Sequence, residues 1–120
     1  GSMTSLIPSQ IFYGIGAKIL SIKIAFNKLV ISLEDTTIEF TDGQYCCETR
    51  YMNTDDDLSY YVGATLLNAT LRDGPVESPE YGVKECQFLV VDTSVGSFTI
   101  ANYNEHNGYY GGFSITCELA

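Results

Sequence analysis

The sequence predicts a mainly β (α+β) fold, an antiparallel sheet of about seven strands with one short helix packed on it. Three features lead there. Apolar and polar residues alternate with a period of two through much of the chain, the pattern that one buried sheet face imposes. Short connections rich in Asp, Asn and Gly separate these stretches. The length, 120 residues, suits one domain able to bury a core without metals or disulfides.

In chain order, residues 19–26 read as a strand with Leu20, Ile22, Ile24 and Phe26 on one face. Asn27-Lys28 turns the chain into residues 29–33, where Leu29, Ile31 and Leu33 share a face. Residues 36–41 follow with Ile38 and Phe40 inward, and Asp42-Gly43 ends the meander. Residues 44–63 lack the two-residue period and read as a loop plus one short helix over 56–62. Thr54 or Asp55 would cap this helix, with Leu58 and Val62 facing the core. Residues 64–72 form the next strand, with Leu67, Ala69 and Leu71 inward, stopped by Asp73-Gly74-Pro75. The apolar run Phe88-Leu89-Val90-Val91 marks residues 83–92 as a central strand covered on both faces. Val95-Gly96 closes a hairpin into residues 97–103. After a Gly- and Tyr-rich loop at 104–112, residues 113–119 place Phe113, Ile115, Cys117 and Leu119 on one face. Gly1-Ser2 ahead of Met3 reads as a tag remnant, so residues 1–3 are set aside and 4–120 form a single domain.

Net charge is −9, from 15 acidic and 6 basic residues. That balance speaks against a nucleic-acid partner, whose phosphates need Lys and Arg. It serves solubility and favours partners with a basic surface. Apolar runs fall far short of the ~20 residues that span a bilayer, and residues 5–17 lack a basic leader. No membrane partner is expected, and the expected setting is the cytoplasm.

Candidate sites are few. Asn104-Glu105-His106-Asn107-Gly108-Tyr109-Tyr110-Gly111-Gly112 combines glycines that allow close backbone approach with stacking, hydrogen-bonding tyrosines. Asn107, Gly108, Tyr109, Tyr110 and His106 are therefore candidates for ligand or partner contact, although the same residues suit a long hairpin connection. His106 is the only histidine and reads as a surface residue; pairing it with Cys46 or Cys47 for catalysis has no specific support. Asp55, Asp56 and Asp57 read as a solvated helix start or an acidic contact surface, not a calcium loop. The scattered cysteines do not form a zinc site, and no cofactor is expected. Cys86 and Cys117 read as core residues; Cys46-Cys47 stays open between a reactive thiol and a loop anchor.

Three pieces together, Cys46-Cys47-Glu48-Thr49-Arg50-Tyr51, Asp56-Asp57-Leu58 running to Gly63, and Asn107-Gly108-Tyr109-Tyr110-Gly111-Gly112, resemble a family of small uncharacterised proteins of phages, prophages and bacteria. The resemblance covers about residues 16–119 and brings no established activity, so no catalytic residue carries over. It implies a phage or mobile-element setting. The leading expectation is a non-enzymatic accessory binding protein that inhibits a host or defence protein, with Arg50, Tyr51, the acidic run and the Tyr-Gly loop in contact. One alternative is a homo-oligomer that sequesters a nucleotide second messenger, with Arg50, Arg72 or Lys84 on phosphates. The other is a cysteine-dependent enzyme using Cys46 or Cys47.

Overall fold

A computed structural model describes residues 4–6, 14–43, 48–77, 82–106, 113 and 115–119. The fold is mainly β, with two antiparallel sheets. β1 (Thr4–Leu6), β6 (Leu66–Glu77), β7 (Val83–Thr93), β8 (Gly96–His106) and β5 (Glu48–Asn53) lie side by side in that order. The second sheet runs β2 (Ile19–Ala25), β3 (Lys28–Leu33), β4 (Thr37–Asp42) and β9 (Ile115–Leu119). Among the described residues the helical content is a single 3₁₀ turn, Leu58–Tyr61. No helix among them is long and apolar enough to cross a membrane.

The sheets face each other across one core. Leu29, Ile31, Ile38, Phe40 and Cys117 come from the four-stranded sheet, and Ala69, Leu89, Val91, Phe98 and Ile100 from the other. Each large apolar side chain buried here stabilises the fold by about 1.5–3 kcal/mol. The meander of β2, β3 and β4 matches the sequence reading, with Leu29, Ile31, Leu33, Ile38 and Phe40 all buried. Backbone bonds also tie the sheets together along one side. Ile19 N donates to Ala64 O at 2.8 Å, and Met52 N donates to Phe26 O at 2.7 Å.

Several sequence expectations need correction. A register shift between Ile19 and Ser21 puts Ile19 inside and leaves Leu20 51 % exposed. Phe26 lies beyond the strand end, 61 % exposed, and packs on Tyr51 instead of the core. A second shift between Leu66 and Asn68 buries Leu66 and turns Leu67 outward. At Leu20 and Leu67 one extra residue flips the alternation that a period-two reading assumes continuous. Asp73-Gly74-Pro75 does not end β6. An irregularity between Asp73 and Val76 absorbs the break, and pairing with β7 resumes at Val76–Glu85. The expected helix over 56–62 is only the short 3₁₀ turn. Asp57, not Thr54 or Asp55, caps it: its Oδ1 accepts from Ser59 N at 3.1 Å. Leu58 and Tyr61 pack against the core, whereas Val62 is exposed. β5 occupies part of the expected loop, because pairing with β8 supplies what its sequence does not advertise. β8 runs on to His106, and Leu119 is exposed.

Candidate functional site

On β8 every second residue faces the core. Phe98 and Ile100 extend the apolar interior, but the next inward positions are Asn102, Asn104 and His106. Their register partners are Gln87, Glu85 and Val83 on β7, and Met52, Arg50 and Glu48 on β5. One end of the interior is therefore polar. The Arg50 guanidinium meets the Asp42 carboxylate of β4 at 2.7 Å, with the side chains 4 % and 1 % exposed. This ion pair bridges the two sheets. Nearby, His106 Nε2 lies 3.6 Å from Glu85 Oε2, and the histidine side chain is 3 % exposed. Asn102 donates to Gln87 O at 3.0 Å and to Ile100 O at 3.2 Å, while among the described residues its own Oδ1 and the Oε1 of Gln87 are buried without a hydrogen-bond partner.

These positions correct two expectations. His106 is not a surface residue; it ends β8 facing inward. Arg50 is not laid out on the surface, because Thr49 and Tyr51 take the outward positions of β5 and Arg50 the inward one. The cations expected to meet phosphates do not converge. Arg50 engages Asp42, Arg72 is exposed on β6, and Lys84 lies over Tyr103.

The outer face of the five-stranded sheet carries a different arrangement. Tyr51 and Tyr103 are direct register partners and stack with centroids 5.1 Å apart. Phe26 extends the ladder at 6.4 Å from Tyr51. Lys84 Nζ sits 4.8 Å from the Tyr103 centroid, a cation–π contact. The Tyr51 hydroxyl is held above its ordinary pKa by burial and by its hydrogen bond with Glu105. Lys84 is raised too, chiefly by the charge on ionised Tyr51.

Beside this ladder lies a cavity of about 250 Å3. Phe88 and Tyr103 form aromatic walls, Thr99 and Ala101 line it from β8, and Asp55 and Asp56 border it. The acids arrive there because the loop after β5 continues along β8 past the Asn53–Ala101 pair. Thr54 Oγ1 donates to Thr99 O at 2.7 Å, and Asp56 Oδ2 accepts from Thr99 N at 2.8 Å. A smaller depression of about 160 Å3 continues past the same two rings toward Lys84 and Glu77.

The structure thus gathers Tyr51, Asp55 and Asp56 on one face. Asp57 is spent on the 3₁₀ turn, with Arg50 and His106 inside. Asn107, Gly108, Tyr109, Tyr110, Cys46 and Cys47 lie outside the described residues. Sequence reading missed Tyr103 and Phe88. Each alternates with buried neighbours, but only the pairing of β5, β7 and β8 brings them together. Cys86 and Cys117 are both buried; Cys117 belongs to the core between the sheets as expected, whereas Cys86, the register partner of Tyr103, lies on the outer face. Burial raises both thiols, that of Cys117 to about 11 with a further contribution from Glu118, which suppresses thiolate chemistry at neutral pH.

Fold and site define a two-sheet antiparallel β domain with an aromatic, acid-flanked outer face. The chain belongs to the DUF7448 family, a domain of unknown function, whose profile matches residues 14–116. No curated protein and no solved structure matches it.

Proposed function

We propose that this protein is a non-enzymatic binding protein that captures a partner with a basic surface on the outer face of its five-stranded sheet. In this reading it is a cytoplasmic phage or prophage accessory factor, and its partner is a host or defence protein that it inhibits. The observation that carries the reading is the Phe26–Tyr51–Tyr103 ladder running beside an acid-bordered cavity. Aromatic side chains on a rigid sheet supply contact area at little entropic cost, and tyrosines are enriched among residues that dominate binding energy. The net charge of −9 steers basic partners toward the protein and speeds encounter.

The test starts with a tagged protein and lysate of a host cell. The captured protein is then purified and its affinity measured by calorimetry. Tyr103→Ala is expected to weaken it by about 2 kcal/mol or more, the scale of an interface hot spot. Raising salt should weaken it further. Tyr109→Ala and Tyr110→Ala report separately on the Tyr-Gly loop. Full affinity in Tyr103→Ala removes the outer face from the reading, and salt-independent binding removes the basic partner.

A further inference from the structure

Resting on that reading, we infer that the cavity between Phe88, Tyr103, Asp55 and Asp56 is the anchor pocket for one arginine side chain of the partner. Its size comes first. At about 250 Å3 it is smaller than the ~300–1,000 Å3 of pockets that take whole small molecules, so it suits a single side chain. Its chemistry comes second. Phe88 and Tyr103 line it with aromatic surface, which attracts cations, and two carboxylates border them. Tyr103 is already stacked on Tyr51 and carries Lys84 at 4.8 Å, so Phe88 supplies the ring for an incoming cation.

The combination selects guanidinium over ammonium. A guanidinium is planar and weakly hydrated, stacks on rings, and presents paired N–H donors to a carboxylate. An ammonium is a compact, strongly hydrated point charge that gains less from a ring wall. Pre-organisation adds to this. Asp56 is held by the Thr99 amide through Oδ2, and Thr54 is fixed to the Thr99 carbonyl, so this rim is set before a ligand arrives. Asp55 is exposed and supplies the carboxylate that meets the incoming cation first.

The experiment is a titration of ¹⁵N-labelled protein with N-acetyl-arginine methylamide, followed by two-dimensional NMR, with the lysine and citrulline analogues as controls. Citrulline keeps the shape and removes the charge. Arginine is expected to shift the Asp56, Thr99 and Ala101 amides saturably, with lysine at least about threefold weaker and citrulline without saturable effect. Asp55→Asn and Phe88→Leu should each weaken arginine binding by roughly threefold or more while keeping dispersed native spectra. Equal responses to arginine and citrulline, no saturable shift at these amides, or tighter binding of lysine overturns the proposal. Tyr103-dependent, salt-sensitive capture with no arginine response leaves the docking face standing and removes only the arginine anchor. An arginine response without any captured partner does the reverse.

Discussion

Replacing Asp42 with alanine strips the counter-charge from a guanidinium that has almost no contact with water. At an effective dielectric of about 20, unit charges 2.7 Å apart attract by about 6 kcal/mol. Desolvation of both groups offsets much of this, so the pair contributes little net stability. Removing one partner is another matter, because the remaining buried charge loses this short contact with its opposite charge; such changes cost about 3–5 kcal/mol. A domain of this kind has about 5–15 kcal/mol in all. Asp42→Ala should therefore lower the urea midpoint by roughly 1.5–2.5 M, taking a slope of about 2 kcal/mol per molar. Arg50→Met removes the guanidinium from the same contact and should cost a similar amount. The double variant Asp42→Leu with Arg50→Met replaces the pair by apolar side chains and should recover most of the loss. The assay is equilibrium urea unfolding followed by circular dichroism. An Asp42→Ala cost below about 1 kcal/mol would refute the reasoning, as would a double variant no more stable than the singles.

Three other outcomes follow from the same geometry. Phe98→Ala empties a fully buried site between the sheets and should cost about 3–5 kcal/mol in the same unfolding experiment. Gly82 has φ +118°, and an added Cβ would meet His106 O at 2.8 Å, so Gly82→Ala combines backbone strain with an unyielding neighbour; a loss of roughly 1–3 kcal/mol is expected, read as a fall in melting temperature. The Cys117 thiol ionises near 11 in the folded state but near 9.0 in the unfolded chain. The unfolded state therefore releases its proton first, and stability present below pH 9 is lost as pH rises toward 11. The swing is about 2–3 kcal/mol for this group, so Cys117→Ala should flatten the alkaline fall in stability over that window, and an identical fall in both proteins would contradict it.

Much of the fold was legible because alternation is local. Leu29, Ile31, Leu33, Ile38 and Phe40 carry the two-residue period without interruption, and all of them are buried. The reading failed where one extra residue enters a strand, at Leu20 and at Leu67, since a bulge leaves no reliable mark in composition. It failed again at β5, whose Thr-Arg-Tyr-Met run has no clean apolar face and forms a strand because β8 offers a partner. His106 was misplaced for the same reason. Asn104 and Glu105 have turn-like composition, yet pairing with β5 and β7 keeps them extended.

The candidate face was legible only in pieces. Tyr51, Asp55 and Asp56 stood out as residue types, but nothing in their spacing pointed to Tyr103 or Phe88, which lie tens of residues further on. Taken alone, the sequence determined the β character, the acidic charge and most of the interior of the β2–β4 meander, because backbone pleating and hydrophobic burial act on neighbouring residues. Tertiary structure decided which arginine turned inward to meet Asp42, which tyrosines stacked and where the cavity opened. Those outcomes depend on strand register, and register is set by contacts between segments far apart in the chain.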